Sequence, residues 1–166
     1  MIARNEISNL AYTGISIGWD FSKNKTEQAA TNKNNTIEQN RIWNVCSVLF
    51  DCSGIYTLGA NHRTSIKRNV IHDVQVHPQK IAPHNMGLYF DHSSTGITAQ
   101  ENIVFRAFPD YRIYCQKSPD APVYCNGLNP APGGVGLDVN LINNYAAQDP
   151  PTNGLFMQIL NDAGVR

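Results

Sequence analysis

The chain has 166 residues, of which 42% are hydrophobic, so it can bury a core of ordinary size within one domain. Its thirteen basic and thirteen acidic residues balance, and we therefore expect neither nucleic acid nor an anionic membrane as a partner. The longest apolar runs, such as residues 45–50, are too short to span a bilayer, which excludes membrane insertion through these runs.

A repeated pattern, apolar-x-x-Asn-x-apolar, organises the chain. Its asparagines are Asn5, Asn40, Asn69, Asn102 and Asn140, at spacings of 35, 29, 33 and 38 residues. The repeats are short, rich in Ile, Val, Thr and Tyr, and interrupted by Asn, Gly, Asp and Ser, which favours strands ended by tight turns. Because no single coil can bury its apolar face alone, the repeat predicts a solenoid of strands in which the asparagines stack.

We predict an all-β chain, a single parallel β-helix segment over residues 1–166 with about five coils. Loop insertions fall near residues 20–35, 75–85 and 108–134. Long irregular loops in a compact repeat usually form walls or lids of a functional site. Neither end of the sequence has the pattern of a cap, so we expect a fragment of a longer solenoid, with further β-helix coils of the parent chain as neighbours.

A second strand of each coil is predicted where glycine precedes an apolar residue, at Gly14, Gly54, Gly87 and Gly154. Gly54 and Gly87 each lie 15 residues before a repeat asparagine, which aligns their strands. Period-2 alternation then turns Tyr56, Tyr89 and Asp91 outward, with Tyr56 and Tyr89 on adjacent coils. The tyrosines are either a sugar-stacking platform or a cross-strand aromatic ladder.

Histidines supply further candidates for binding a substrate. His72 aligns with Trp43 and Phe105 in a second column, which favours a packing role, although a histidine could also carry a proton at working pH. His84 lies in the loop before the second tyrosine strand and could line a groove. His92 directly follows Asp91.

The four cysteines include Cys115 and Cys125, ten residues apart around a Pro-containing loop. Closing this loop with a disulfide would stabilise it, and buried free thiols are the alternative. The cysteine spacing is poor for a zinc site, and we predict no metal and no cofactor.

The runs Asn40-Arg-Ile42, Asp51-Cys-Ser-Gly-Ile-Tyr-Thr-Leu-Gly59 and Gly87-Leu-Tyr-Phe-Asp-His-Ser-Ser94 resemble the right-handed parallel β-helix enzymes of the pectate-lyase-like superfamily. More narrowly, they resemble glycoside hydrolase family 141, whose members act on plant cell-wall polysaccharides as fucosidases or xylanases. The similarity runs in register from about residue 2 to residue 107.

The resemblance implies a catalytic pair of acidic residues, one ahead of the Gly-Ile-Tyr strand and one closing the Tyr-x-Asp strand. By motif these are Asp51 and Asp91. It also implies a polysaccharide or oligosaccharide substrate, with Tyr56, Tyr89, His72, His84 and His92 as candidate binding residues. Together with a Cys115–Cys125 disulfide, it implies a secreted or periplasmic protein.

Glycosidic cleavage needs two carboxyl groups about 5–5.5 Å apart for retention or about 6.5–9.5 Å apart for inversion. In the alignment of the coils, Asp51 and Asp91 differ by seven positions, which a straight strand would stretch to ~23 Å. Either the chain bends sharply between Asp51 and Gly54, or Asp91 acts with another group such as Asp73, His84 or His92.

Two other classes of function remain compatible with the same fold. A lyase or epimerase acting on uronates would need a Lys or Arg base and acidic calcium ligands, and Arg63, Lys67 and Arg68 are present without a clear acidic cluster. A non-catalytic carbohydrate-binding or structural β-helix would carry outward Ser, Thr and Asn without a carboxylate pair.

Overall fold

The computed structural model describes residues 1–18, 32–76, 85–129 and 137–165. Their strands form three sheets, and every pair of neighbouring strands is parallel. Sheet A contains β1 (Ile2–Ala3), β4 (Thr36–Glu38), β7 (Ala60–Lys67), β10 (Thr95–Gln100) and β13 (Val139–Ile142). Sheet B contains β2 (Glu6–Ser8), β5 (Arg41–Trp43), β8 (Val70–His72), β11 (Ile103–Phe105) and β14 (Tyr145–Ala147). Sheet C contains β3 (Ile15–Ile17), β6 (Ser53–Thr57), β9 (Met86–Phe90) and β12 (Ile113–Cys115).

The chain passes from sheet C to sheet A to sheet B in each coil, and each strand pairs with its counterpart one coil along the chain. The predicted parallel β-helix of about five coils is confirmed. Side chains that point inward from the three sheets form one buried cluster, which includes Ile66, Ile71 and Leu88. A coil therefore buries its apolar face only against the coils above and below it.

A tight turn joins sheet A to sheet B, and the asparagine ladder lies there. The Nδ2 group of Asn40 donates to Oδ1 of Asn69 at 2.9 Å, and Asn69 donates in the same way to Asn102. The residue before each of these asparagines has a positive φ, as Arg68 does at 54°. This left-handed residue lets the chain turn sharply, and the amide ladder satisfies the buried polar groups of the turn.

The register of the last repeat was predicted wrongly. Asn102 donates to Asn144 and not to Asn140, because Leu141 pairs with Ala99 in the last strand of sheet A. The spacing is therefore 42 residues. The pattern apolar-x-x-Asn-x-apolar fits Leu137 to Ile142 as well as Leu141 to Ala146, so the sequence motif alone did not decide between them.

The three glycine-led strands predicted for sheet C are all present, and each glycine has a steric reason. A Cβ at Gly14 would lie 2.7 Å from the carbonyl oxygen of Gly54, one at Gly54 would lie 2.4 Å from Cγ2 of Ile71, and one at Gly87 would lie 2.4 Å from the carbonyl oxygen of Arg112. Gly154 instead begins helix α1 (Gly154–Asp162), so the strand predicted there is wrong, although the described residues are mostly β.

Helix α1 packs on the outer face of sheet B. Ile159 and Ala163 join Val70, Ile103 and Phe105 in a second apolar cluster. The helix therefore covers the middle of this sheet from outside.

Both cysteine pairs are disulfides, Cys46–Cys52 and Cys115–Cys125. This decides between the alternatives left open by the sequence and is typical of an extracellular or periplasmic protein. Within the four described ranges, no helix has the length and apolar character needed to cross a membrane.

Candidate functional site

A column of tyrosines runs along the outer face of sheet C. Tyr56 pairs with Tyr89, and Tyr89 with Tyr114, on successive coils, as predicted for the first pair. The ring centroids of Tyr56 and Tyr89 are 5.2 Å apart at 80°, and those of Tyr89 and Tyr114 are 5.6 Å apart at 60°. This edge-to-face packing stabilises the sheet as a ladder. Because Tyr89 is only 2% exposed, its ring has little surface left for a sugar.

Asp91 lies at the end of the second tyrosine strand and is buried, with 4% of its surface exposed. The Tyr56 hydroxyl donates to its Oδ2 at 2.6 Å. Its Oδ1 accepts a hydrogen bond from the Nε2 group of Gln116 at 3.1 Å and lies 2.8 Å from Nδ1 of His92. Burial alone would raise the pKa of this carboxyl, but the hydrogen bonds from Tyr56, His92 and Tyr89 outweigh it and lower the pKa.

Asp51 lies in the turn that leads into the first tyrosine strand. Its φ of 56° places the backbone in the left-handed region, two residues before β6 begins at Ser53. The disulfide between Cys46 and Cys52 closes this turn, and the Tyr12 hydroxyl donates to the Asp51 carbonyl at 2.9 Å. The carboxyl atom Oδ1 of Asp51 is buried and has no hydrogen-bond partner within the described ranges.

The charge of Asp91 acts on the Asp51 carboxyl. Burial raises the pKa of Asp51, and the charge of Asp91 raises it further, while His92 and Tyr89 act in the opposite direction. Hydrogen bonding from Tyr89 lowers the pKa of both carboxyls. The backbone bends at Asp51, where φ is positive just before β6, as one alternative of the sequence analysis requires. That the two carboxyls act as a catalytic pair stays a prediction.

The pKa values of Asp51 and Asp91 are thus displaced in opposite directions. Asp51 is the group that holds a proton to higher pH, and Asp91 is the group that stays ionised. Two titratable groups in one site with separated pKa values are the arrangement that acid-base catalysis requires. The tyrosine hydroxyls around them remain protonated, because burial and then the neighbouring carboxylates raise the pKa of Tyr56 and Tyr89.

The remaining predicted binding residues fall in different places. His92 lies at this site, with 35% of its side chain exposed and its ring beside Asp91. His84 lies outside the described residues. His72 lies on sheet B, in a different column of aromatic side chains, and the structure does not bring it to Asp91.

The aromatic column on sheet B is the one that the sequence aligned. The rings of Trp43 and His72 are stacked at 6.0 Å, and those of His72 and Phe105 at 4.9 Å. Burial lowers the pKa of His72, with Asp73 opposing the change. Asp73 itself forms a bidentate salt bridge with Arg106, and Nε of Arg106 lies 2.6 Å from Oδ1 of Asp73.

Three residues of the site on sheet C were missed by the sequence analysis, namely Tyr12, Tyr114 and Gln116. The sequence did contain a signal for Tyr114 and Gln116. The run Ile113-Tyr114-Cys115 repeats the order apolar-Tyr-x of Leu88-Tyr89-Phe90, so the residue that follows it corresponds to Asp91. Arg112 stands where the other coils have glycine, and this hid the match.

Across the part of the chain that the structure describes, no group of three His, Cys, Asp or Glu side chains could hold a metal ion.

A solved structure described as a glycoside hydrolase is similar to this chain, with a TM-score of 0.64 and 22% sequence identity. The similarity covers 99% of this chain and 22% of that chain, so this chain spans less than a quarter of the length of the protein it matches. At this level of identity the similarity shows the fold, a stack of parallel coils. No protein-family model and no curated protein matches the sequence.

Proposed function

We propose that the outer face of sheet C is the active site of a glycoside hydrolase that acts on a polysaccharide, with Asp51 and Asp91 as its two carboxyl groups. The observation that carries this proposal is the geometry around Asp91, a buried carboxyl held by Tyr56, Gln116 and His92 beside the tyrosine column. The pKa values of Asp51 and Asp91, displaced in opposite directions, are consistent with one acid and one base. The fold shared with a glycoside hydrolase structure is consistent with a carbohydrate substrate.

Asp51 is the general acid in this scheme. Its raised pKa keeps it protonated at pH values where an ordinary aspartate has lost its proton, so it can protonate the oxygen of the departing sugar. Asp91 remains a carboxylate and acts on the anomeric carbon directly or through a water molecule. The hydroxyl of Tyr56 donates a hydrogen bond to one oxygen of Asp91 and thereby fixes the orientation of the carboxylate.

The pH dependence follows from these two directions. Activity requires Asp91 ionised and Asp51 protonated, so kcat/KM should follow a bell-shaped curve. The acidic limb should lie below the ordinary pKa of aspartate and the alkaline limb above it. A profile that rises with a single step and never falls on the alkaline side would contradict the role of Asp51.

Sugar release by the longest available form of the protein tests the proposal. The variants Asp51→Asn and Asp91→Asn keep the side-chain shape and should each lower kcat by about 10²–10⁴-fold on a panel of plant cell-wall polysaccharides. Unchanged release in both variants would remove the assignment. The anomeric form of the first product, measured by NMR, would distinguish direct attack by Asp91 from attack by water.

A non-catalytic carbohydrate-binding β-helix is the second candidate, and the burial of Asp91 favours it. A carboxylate that is 4% exposed and fully engaged by Tyr56, His92 and Gln116 could serve to fix the tyrosine ladder. In that case the parent protein would bind polysaccharides without releasing sugar, and Asp91→Asn would change stability and leave binding intact.

A further inference from the structure

Gln116 occupies the position opposite Asp91 on the next coil. It follows β12, and its backbone N–H donates to the Phe90 carbonyl at 2.9 Å, which extends the pairing of Cys115 with Phe90 by one residue. Its Nε2 group lies 3.1 Å from Oδ1 of Asp91 and 3.5 Å from the hydroxyl oxygen of Tyr89. The side chain therefore contacts the carboxylate from the side away from Tyr56.

The orientation of the Gln116 amide is fixed by its own surroundings. Its Oε1 accepts hydrogen bonds from the backbone N–H groups of Lys117 at 2.8 Å and Ser118 at 3.3 Å. Turning the amide over would place Oε1 against the carboxylate oxygen and the NH₂ group against two N–H donors. The Nε2 group therefore faces Asp91 and Tyr89, and Oε1 faces the two backbone N–H groups.

The backbone at Gln116 is held as firmly as its side chain. The Gln116 carbonyl accepts hydrogen bonds from the Val123 N–H at 2.9 Å and from Nδ2 of Asn129 at 3.2 Å. The disulfide between Cys115 and Cys125 closes the same loop. Because the disulfide closes this loop, the movement of Gln116, which follows Cys115, is limited.

We infer that Gln116 is a positioning residue, which holds the Asp91 carboxylate in its orientation through a hydrogen bond supplied by the disulfide-closed loop 115–125. The consequence for catalysis depends on the proposed function, but the contact itself does not.

Several titratable groups face Asp91 from the neighbouring coils and loops, and each must be considered in a titration. They are Asp51, His92, Tyr56, Tyr89, Tyr12 and Tyr114. Gln116→Met leaves all of them in place and adds no charge, so a shift in the titration of Asp91 in this variant would report the loss of this one donor.

The substitution Gln116→Glu separates the two roles of the side chain. A glutamate keeps an acceptor for the N–H groups of Lys117 and Ser118 but replaces the donor to Asp91 by a second carboxyl oxygen. The titration midpoint of Asp91 should therefore rise by about one pH unit or more, because like charges disfavour ionisation. The measurement is the ¹³C carboxyl chemical shift by NMR, with the Asp91 signal assigned from Asp91→Asn.

The matched control is Gln148→Glu, the same chemical change at an exposed glutamine that contacts Arg112. It should leave the titration of Asp91 within about 0.2 pH units of the parent, which is the scatter expected for a remote exposed charge. Gln116→Met, which removes the donor without adding charge, should also raise the midpoint and provides a second test if the glutamate variant does not fold. An unchanged Asp91 titration in a folded Gln116 variant would overturn the inference.

Kinetics provide a second readout that depends on the proposed function. In Gln116→Glu the acidic limb of the kcat/KM profile should move upward together with the Asp91 titration, while Gln148→Glu keeps the parent profile. A parent protein that releases no sugar would remove the proposed function, and the NMR titration would still decide the role of Gln116. A lower unfolding temperature without any movement of the titration would mean a purely structural role and would overturn the inference.

Discussion

The outer faces of sheets B and C carry the same kinds of side chain, but the aspartate on each face has different partners. Each has a column of aromatic rings with an aspartate and a histidine beside it. On sheet B, Asp73 is neutralised by Arg106, and helix α1 packs over the neighbouring residues. On sheet C, the Asp91 carboxylate contacts Tyr56, Gln116 and His92, and none of these three is a permanent cation.

The difference between the two faces lies in how each aspartate is held. A salt bridge stabilises the charged form of Asp73, and the hydrogen bond and charge of Arg106 lower its pKa to about 2 despite some burial. The pKa of Asp91 is also lowered, because hydrogen bonds outweigh its burial, whereas burial raises the pKa of Asp51. In the proposed mechanism sheet C therefore supplies one base and one acid.

The largest expected effect compares the aspartates of the two faces. Asp91→Asn should lower sugar release by about 10²–10⁴-fold, whereas Asp73→Asn should leave it within about twofold of the parent, because only Asp91 belongs to the proposed catalytic pair. Initial rates on a polysaccharide that the parent cleaves provide the measurement. Equal losses in the two variants would mean that stability, and not chemistry, explains the effect.

A smaller effect is expected from the tyrosines. Tyr56→Phe removes the 2.6 Å hydrogen bond to Asp91, and a bond to a charged group contributes roughly 1.5–3 kcal/mol. This corresponds to a loss of about 10–100-fold in kcat/KM if the bond is needed in the transition state. The control is Tyr145→Phe on sheet B, whose hydroxyl donates to the Asp149 carbonyl, and its activity should equal that of the parent.

The smallest effect concerns the stability of sheet B. Arg106→Gln should lower the free energy of unfolding by about 0.5–1 kcal/mol, since the salt bridge with Asp73 is partly exposed. The pKa of Asp73 is lowered in the folded state, so its contribution is complete above about pH 4 and disappears as the pH falls toward about 2. Urea unfolding of parent and variant at pH 6 and pH 2 measures this, and a difference that persists at pH 2 would contradict it.

The sequence predicted the coils well because their register depends on local patterns. Asn40, Asn69 and Asn102 each occupy a turn that only a narrow choice of residues can form, and Gly54 in β6 and Gly87 in β9 lie too close to other parts of the chain to carry a Cβ. These constraints repeat every coil and are visible as a repeat. They weaken at the last coil, where Asn144 and not Asn140 continues the ladder.

The site was harder to predict because its parts come from connections of unequal length. Asp51 lies in a left-handed turn closed by a disulfide, and positive φ occurs in this chain at Asp, Asn, Arg, Gln, Glu, Ser and Cys alike, so residue type alone did not predict the turn. Gln116 follows a strand that lacks the expected glycine. Each face carries a histidine adjacent in sequence to an aspartate, His72 with Asp73 on sheet B and His92 with Asp91 on sheet C. The sequence alone did not distinguish these two pairs.

The most direct test of the carboxylate pair is the titration of Asp51 in two variants, followed by ¹³C carboxyl NMR. In Asp91→Asn the pKa of Asp51 should fall toward its ordinary value, because burial still raises it but the neighbouring charge has been removed. In Asp73→Asn, on the other face, it should stay where it is in the parent. An Asp51 titration that is the same in the parent and in Asp91→Asn would show that the two carboxyls are independent and would contradict the proposed mechanism.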